Sequence, residues 1–327
     1  MEKRAIAAVM FLMVILFPIY GWAHHGGISL AMGPGTPIET NSPFTLPKGG
    51  IVLSGRIENV EWRKYRFAEP ENKDHFTFYH LGLSYGITPY LTGSIFLPYN
   101  IKSQDSLGTN RGIGDVKLSF QLGLNYDPGK RLGLNTPEDT AVSEGSKKIY
   151  LSLLGGFTLP TGKNKKELGG EIDPGMQPGF GSPSFSIGIA ASREIIHPLS
   201  LTLDTSYEIF TRREGFKFGN EWRLNLAGVY GFYRKAEKLL SQVDGVMELN
   251  LLRIARDEEE GEKLRATGGT ILYLSPGVRL GSSKLWNANL GLLIKFPIWK
   301  HLNEKREQQG AEGLEKYRGI VTLSFFF

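Results

Sequence analysis

Few side chains in this sequence combine type and spacing in a way that could do chemistry. His24 and His25 are adjacent near the start of the chain. Cleavage after Ala23 would make His24 the N-terminal residue. Its free α-amine and imidazole would then form a nitrogen-rich chelate of the kind copper favours. Copper at His24 and His25 is the cofactor the pattern offers, although no third ligand stands near. His80 and Ser84 are four apart on a segment of period two, so they share a face, as a serine nucleophile and its base would need. No orienting third partner accompanies them, and both point to the interior. His75, His197 and His301 show no ligand spacing. The absence of Cys excludes thiolate nucleophiles, zinc-thiolate sites and disulfides. Gly112-Ile113-Gly114-Asp115 and Gly155-Gly156 lead into strands and lack the Lys and the helix of a phosphate cradle. No covalent chemistry is expected.

A larger set of polar groups recurs at alternate positions. These are Arg56, Glu58, Asp115, Lys117, Asp204, Glu208, Glu221, Arg223, Glu248, Arg279, Lys295 and Arg318, six acids and six bases. Phe78 and His80 belong to the same face, with Phe76, Phe96, Tyr150, Phe210, Tyr233, Tyr273 and Trp299. Such a face reads as the lining of a lumen. Its balanced signs allow charges to pair across a narrow bore, whereas a strongly selective pore carries rings of one sign. The aromatics either fill space or form a path for aromatic and apolar solutes.

The elements that position this face are strands. Val116, Leu118, Phe120, Leu122, Leu124 and Tyr126 alternate with Asp115, Lys117, Ser119, Gln121, Gly123 and Asn125, and 199–210 and 286–296 repeat the pattern. Alternation puts one set on each side of a sheet. Runs of about 10–12 residues match tilted strands crossing a hydrocarbon core rather than the five or six of a soluble sandwich. Twelve runs are expected, with ten to fourteen as the range: 50–62, 75–86, 91–101, 112–126, 149–160, 181–193, 199–210, 219–233, 245–256, 268–280, 286–298 and 317–327. Short connectors at 87–90, 194–198 and 281–285 fall at alternate junctions, as periplasmic turns do; 127–148 and 234–244 are longer than that rule expects. Tyr317, Val321, Leu323, Phe325 and Phe327 alternate to a C-terminal Phe. This strand resembles the signal read by the barrel-assembly machinery of bacteria.

The predicted architecture is therefore all-β: a transmembrane antiparallel β-barrel of about 12 strands over 50–327. Residues 1–23 read as a secretory signal peptide, with Lys3 and Arg4, an apolar run too short to span a bilayer, and small residues at Gly21 and Ala23. Residues 24–49, rich in Gly and Pro, form either a periplasmic tether or a plug within the lumen. A chain that is 41% hydrophobic and 22% charged looks soluble on average, but half of each strand faces lipid and half faces water. The net charge of +5, without basic clusters, argues against a nucleic-acid partner. Gly, at 41 of 327 residues, exceeds the roughly 7% of average usage, and many of these glycines fall within strands, where they ease bending.

Four segments stand out: Gly112-Ile113-Gly114-Asp115-Val116-Lys117-Leu118, Gly155-Gly156-Phe157-Thr158-Leu159-Pro160-Thr161-Gly162, Tyr85-Gly86-Ile87-Thr88-Pro89-Tyr90-Leu91 and Gly179-Phe180-Gly181-Ser182-Pro183. Together they resemble the outer-membrane family of meta-pathway phenol-degradation proteins, often labelled transporters. The resemblance implies a barrel in the outer membrane of a Gram-negative-type bacterium that passes small hydrophobic or aromatic molecules. The balanced charged lumen departs from a simple greasy channel. Two functions follow: passive passage of small-molecule solutes, or a non-conducting barrel that scaffolds a periplasmic or surface partner.

Overall fold

A computed structural model of the chain describes residues 36–64, 73–129, 131–139, 147–170, 172–236, 238–304 and 314–327. The signal peptide and the copper-chelate pair His24 and His25 lie outside them.

The strands, in chain order, are β1 (Ile51–Trp62), β2 (Asp74–Thr88), β3 (Leu91–Gln104), β4 (Gly108–Ile113), β5 (Val116–Asp127), β6 (Arg131–Leu134), β7 (Ile149–Leu159), β8 (Ser184–Ile196), β9 (Leu199–Phe210), β10 (Phe216–Lys217), β11 (Glu221–Arg234), β12 (Gln242–Ile254), β13 (Glu258–Glu259), β14 (Glu262–Lys263), β15 (Gly269–Ser282), β16 (Ala288–Leu302) and β17 (Glu315–Phe326). Each long strand pairs antiparallel with its neighbours, and β1 pairs with β17. At that seam Ile51 and Phe327 exchange both backbone hydrogen bonds, at 3.0 and 2.9 Å. The sheet is thus closed, which leaves no row of unpaired backbone groups facing lipid.

Twelve strands span the barrel, because β4 and β5 are one interrupted strand. Both pair with β3, and the register moves by one residue between Ile113 and Lys117. Gly114 and Asp115 form the break. Beyond it the inward parity changes from even (Asn110, Gly112) to odd (Lys117, Ser119, Gln121). The connector after β5, longer than a turn, begins with β6 folded back along β5. β10, β13 and β14 make a small separate sheet at the loop end.

The outer face carries the exposed apolar side chains, including Leu81, Leu83, Ile95, Leu97, Phe120, Leu153, Ile187, Ile189, Leu203, Ile294 and Phe296. Tyr85, Tyr99, Tyr126, Tyr207, Tyr230, Trp286, Trp299 and Tyr317 are exposed near the strand ends, where aromatic girdles meet the two interfaces. In the last strand Leu323 and Phe325 face outward yet are covered, packed among Leu285, Ala288 and Leu290, with the Trp286 ring 6.2 Å from that of Phe325.

Candidate functional site

The interior is occupied from both ends by the chain itself. From the turn end, residues 36–46 run through the bore before β1 begins. Glu248 accepts hydrogen bonds from the backbone N–H groups of Ile38 (2.7 Å), Glu39 (3.0 Å) and Thr40 (2.7 Å) and from the Thr40 hydroxyl. Asp204 accepts from Asn41 N at 2.9 Å and from Asn225 Nδ2 at 2.9 Å. Ionised acceptors make such bonds about twice as strong as neutral ones. Ile38 packs with Val229, Val246, Leu293 and Ile320, over Gly277 and Gly291, where a Cβ would press against it at 3.2 Å. Further along, Gln121 donates to Ser42 O, Phe44 meets the Tyr150 ring at 4.9 Å, and Leu46 N donates to Thr92 Oγ1.

Glu39 ties this segment to a buried ion network. Its carboxylate bridges Arg56 at 2.6 Å and Lys295 at 3.0 Å. Arg56 also meets Glu58 at 2.7 Å, Arg318 joins Glu58 to Glu315, and Tyr273 donates its hydroxyl to Glu315 at 2.9 Å. Lys295 lies 4.5 Å from the centroid of the Tyr273 ring. Charges this deeply buried hold together only because each has an opposite partner, and loss of one partner costs about 3–5 kcal/mol.

From the loop end, the connector between β7 and β8 folds inward. Asp115 Oδ1 accepts from Gly162 N at 2.7 Å, and its Oδ2 accepts from Phe180 N and Gly181 N. Gly162 and Gly179 crowd the same carboxylate: a Cβ on either would lie less than 3.0 Å from Asp115 atoms. Asn100 Nδ2 donates to Pro178 O at 2.6 Å, Lys102 Nζ to Gly175 O at 2.8 Å, and Asn110 Nδ2 to Met176 O. Phe180 thereby meets Phe210 and Phe218 edge to face at 5.2 and 4.9 Å.

Between the two inserts lie two small cavities of about 90 and 80 Å³ that share Lys117, Glu208, Glu221 and Arg223. The first reaches Glu39, Asn41, Phe96, Ser119 and Asn225; the second reaches Phe78, His80, Asn100, Phe180 and Phe210. Lys117 pairs with Glu208 at 3.2 Å, and Arg223 pairs with Glu221.

The residues expected to line the bore are distributed over these parts. Arg56, Glu58, Lys295 and Arg318 form the ion network; Asp204 and Glu248 hold residues 38–41; Arg279 donates to Pro37 O. Lys117, Glu208, Glu221, Arg223, Phe78 and His80 border the cavities, and Asp115 holds the inserted loop. Ser84 and His80 do face one way, but the Ser84 hydroxyl is engaged by Ser94 at 2.7 Å. Two aromatics depart from the expectation. Tyr233 and Trp299 leave the inner face because the ladder skips Phe232 and Ile298, which shifts the parity at both strand ends. The sequence reading missed Glu39, which sits before the first strand, and Glu315, which an irregularity at Lys316 turns inward opposite Trp62. It also missed Lys102 and Asp244, which lie just beyond the expected strand limits. Letting strands run on to the next charged residue would have found those last two.

A closed antiparallel barrel, apolar outside and polar inside, has the architecture of transmembrane outer-membrane β-barrels. The chain belongs to the family described as "Putative MetA-pathway of phenol degradation", which it matches over residues 68–296. Among solved structures, an outer membrane channel from Pseudomonas putida F1 shares 12% identity, with 89% of this chain and 100% of that chain covered and a TM-score of 0.64. The likeness shows the same fold. The toluene transporter TodX of Pseudomonas putida (9% identity, 95% and 99% covered, TM-score 0.40) and the beta domain of the Bordetella autotransporter BrkA (9%, 86% and 100%, 0.45) are more distant barrels and bear on nothing further. No curated protein matches the chain by sequence.

Proposed function

We propose that this barrel is an outer-membrane channel for passive passage of small solutes, ring-bearing and hydrophobic ones among them, with the short turns in the periplasm. The observation that carries this reading is the pair of cavities between the inserts. They combine Phe78, Phe96, Phe180 and Phe210 with hydrogen-bonding groups and with ion pairs already neutralised by their partners. The lining selects by bore and contact rather than by charge sign. No bond is made or broken in the solute.

Conductance of the refolded protein in planar bilayers tests the proposal. Unit current steps and solute-dependent swelling of liposomes are expected; the absence of both would remove the channel. The scaffold reading, a non-conducting barrel for a periplasmic or surface partner, draws on a specific observation too: both axial routes contain chain. It predicts a silent bilayer with the wild-type protein. The outward row from Tyr317 to Phe327 would serve the barrel-assembly machinery. Deletion of Phe327, which also breaks the seam with Ile51, should lower the assembled fraction severalfold, measured by heat-modifiable migration on gels.

A further inference from the structure

Residues 36–46 touch the barrel without belonging to any of its strands. The bonds that seat them run through wall side chains. Glu248 and Asp204 take the backbone N–H groups of four successive residues, Ile38 to Asn41. Arg279 donates to Pro37 O and Gln121 to Ser42 O, and the Ile38 side chain lies against Gly277 and Gly291. Withdrawal of this segment breaks no strand pairing.

Its path is re-entrant. Pro37 meets Arg279, near the turn end of β15. Glu39, Thr40 and Asn41 reach the middle of the bore, at Lys295, Glu248 and Asp204. Phe44 and Leu46 return to Tyr150 and Thr92, the second residues of β7 and β3. Both limbs lie on the turn side of the apex, so the segment has a way out that does not thread the chain past the loop-end insert.

The wall groups that grip the segment also have partners within the wall. Asp204 keeps Asn225 Nδ2 at 2.9 Å, Glu248 keeps Asn250 Nδ2 at 3.4 Å, and Arg56 keeps Glu58 at 2.7 Å. Arg279 stands opposite Asp244 across the β12–β15 ladder. Among these cations Lys295 alone gives up its carboxylate; it keeps the Tyr273 ring at 4.5 Å, and the vacated bore admits water to it. A permanent core element strands its buried partners when it leaves, and this one does not.

We infer that the inner wall from β9 to β16 is a peptide-binding site whose ligand is the chain's own segment 36–41, and that this segment is an exchangeable stopper, seated from the turn end and withdrawn to it. The ligand class is an extended peptide with four consecutive free N–H groups, an apolar side chain on the first residue and a carboxylate on the second. As a gate the stopper rests on the channel reading; as a bound peptide it stands without it.

The chain has no Cys, so introduced thiols report alone. In Ile38→Cys/Gly291→Cys a sulfur in place of Ile38 Cγ1 would lie 3.2 Å from the Cβ at position 291, near the ~3 Å that a disulfide sets between one sulfur and the opposite Cβ. Oxidation of this full-length pair in planar bilayers should lower the mean current at least tenfold, and reduction should restore it. In nanodiscs, Ile38→Cys alone should react with a bulky water-soluble maleimide at least tenfold faster than Met176→Cys, which is buried in the loop-end insert. Glu248→Ala should speed the reaction at Ile38→Cys a further tenfold and leave that at Met176→Cys unchanged. Each variant is first shown to migrate as a folded barrel. Equal labelling at the two positions would overturn the exchange. A current that persists unchanged through a crosslink confirmed by mass would remove the gate and keep the channel. Selective labelling at Ile38→Cys in a barrel silent under both conditions would keep the exchangeable peptide and remove the channel.

Discussion

The inserts that enter this barrel from opposite ends are held in different ways. Residues 36–46 are gripped by carboxyl groups and ion pairs on the wall: Glu248 and Asp204 take their N–H groups, and Glu39 joins Arg56 and Lys295. The inserted loop before β8 is held by one carboxylate, Asp115, and one ammonium, Lys102, with neutral amides from Asn100 and Asn110 and glycines that let two backbones approach the carboxylate. The first arrangement concentrates buried charge around a strand-like chain. The second shares the load among hydrogen bonds to loop carbonyls. Charge-based anchoring should fail sharply when one group is lost, and distributed anchoring should loosen by degrees.

The largest effect is expected from Glu248→Ala. It leaves three buried N–H groups and a hydroxyl without their acceptor, at about 1–3 kcal/mol each. Hydrogen exchange at Ile38, Glu39 and Thr40 should accelerate at least a hundredfold while Phe180 and Gly181 keep their protection; equal acceleration at both inserts would show that they move as one unit. Asp115→Ala should act on the other side alone, speeding exchange at Gly162, Phe180 and Gly181 about tenfold, with Asp115→Asn intermediate. Glu39→Gln removes one negative charge from a network that holds Arg56 and Lys295. The lumen should then favour anions, read as a shift in reversal potential across a salt gradient, and an unchanged potential would place the network off the ion path.

The smallest effect belongs to the loop-end sheet. Burial pushes the Asp257 carboxyl up to about 6, with Glu221 adding to the shift, although the Gly219 N–H opposes it. The folded loop therefore holds a proton between about pH 4 and 6 that the unfolded chain releases, so its stability rises as pH falls through that window. A side-chain NMR titration should give a midpoint near 6 for Asp257, and Asp257→Asn should flatten the pH dependence of exchange in 255–268.

Much of the wall was legible from period two. The ranges 199–210 and 149–160 fall on β9 and β7 to within a residue, and the seam between the first and last strands follows from an even strand count. The parity of Tyr233, Trp299 and Glu315 was not legible, because one bulged residue reverses every side chain beyond it without leaving a mark in the hydropathy. The part Asp115 plays was half legible. Its Gly-rich neighbourhood stood out in the sequence, and so did Gly162 and Gly179-Phe180-Gly181, but nothing local says that these three stretches meet.

By itself the sequence determined that the chain is an all-β barrel with an apolar outside and a charge-balanced inside, because alternation is a property of adjacent residues and reports which face is which. Only the tertiary structure decided what fills the inside. An inward Glu248 or Asp204 has the same pattern whether it meets water or a backbone N–H. The backbone N–H groups they bind lie more than 160 positions away in the chain, so the occupant of the bore was set by closure of the sheet around it.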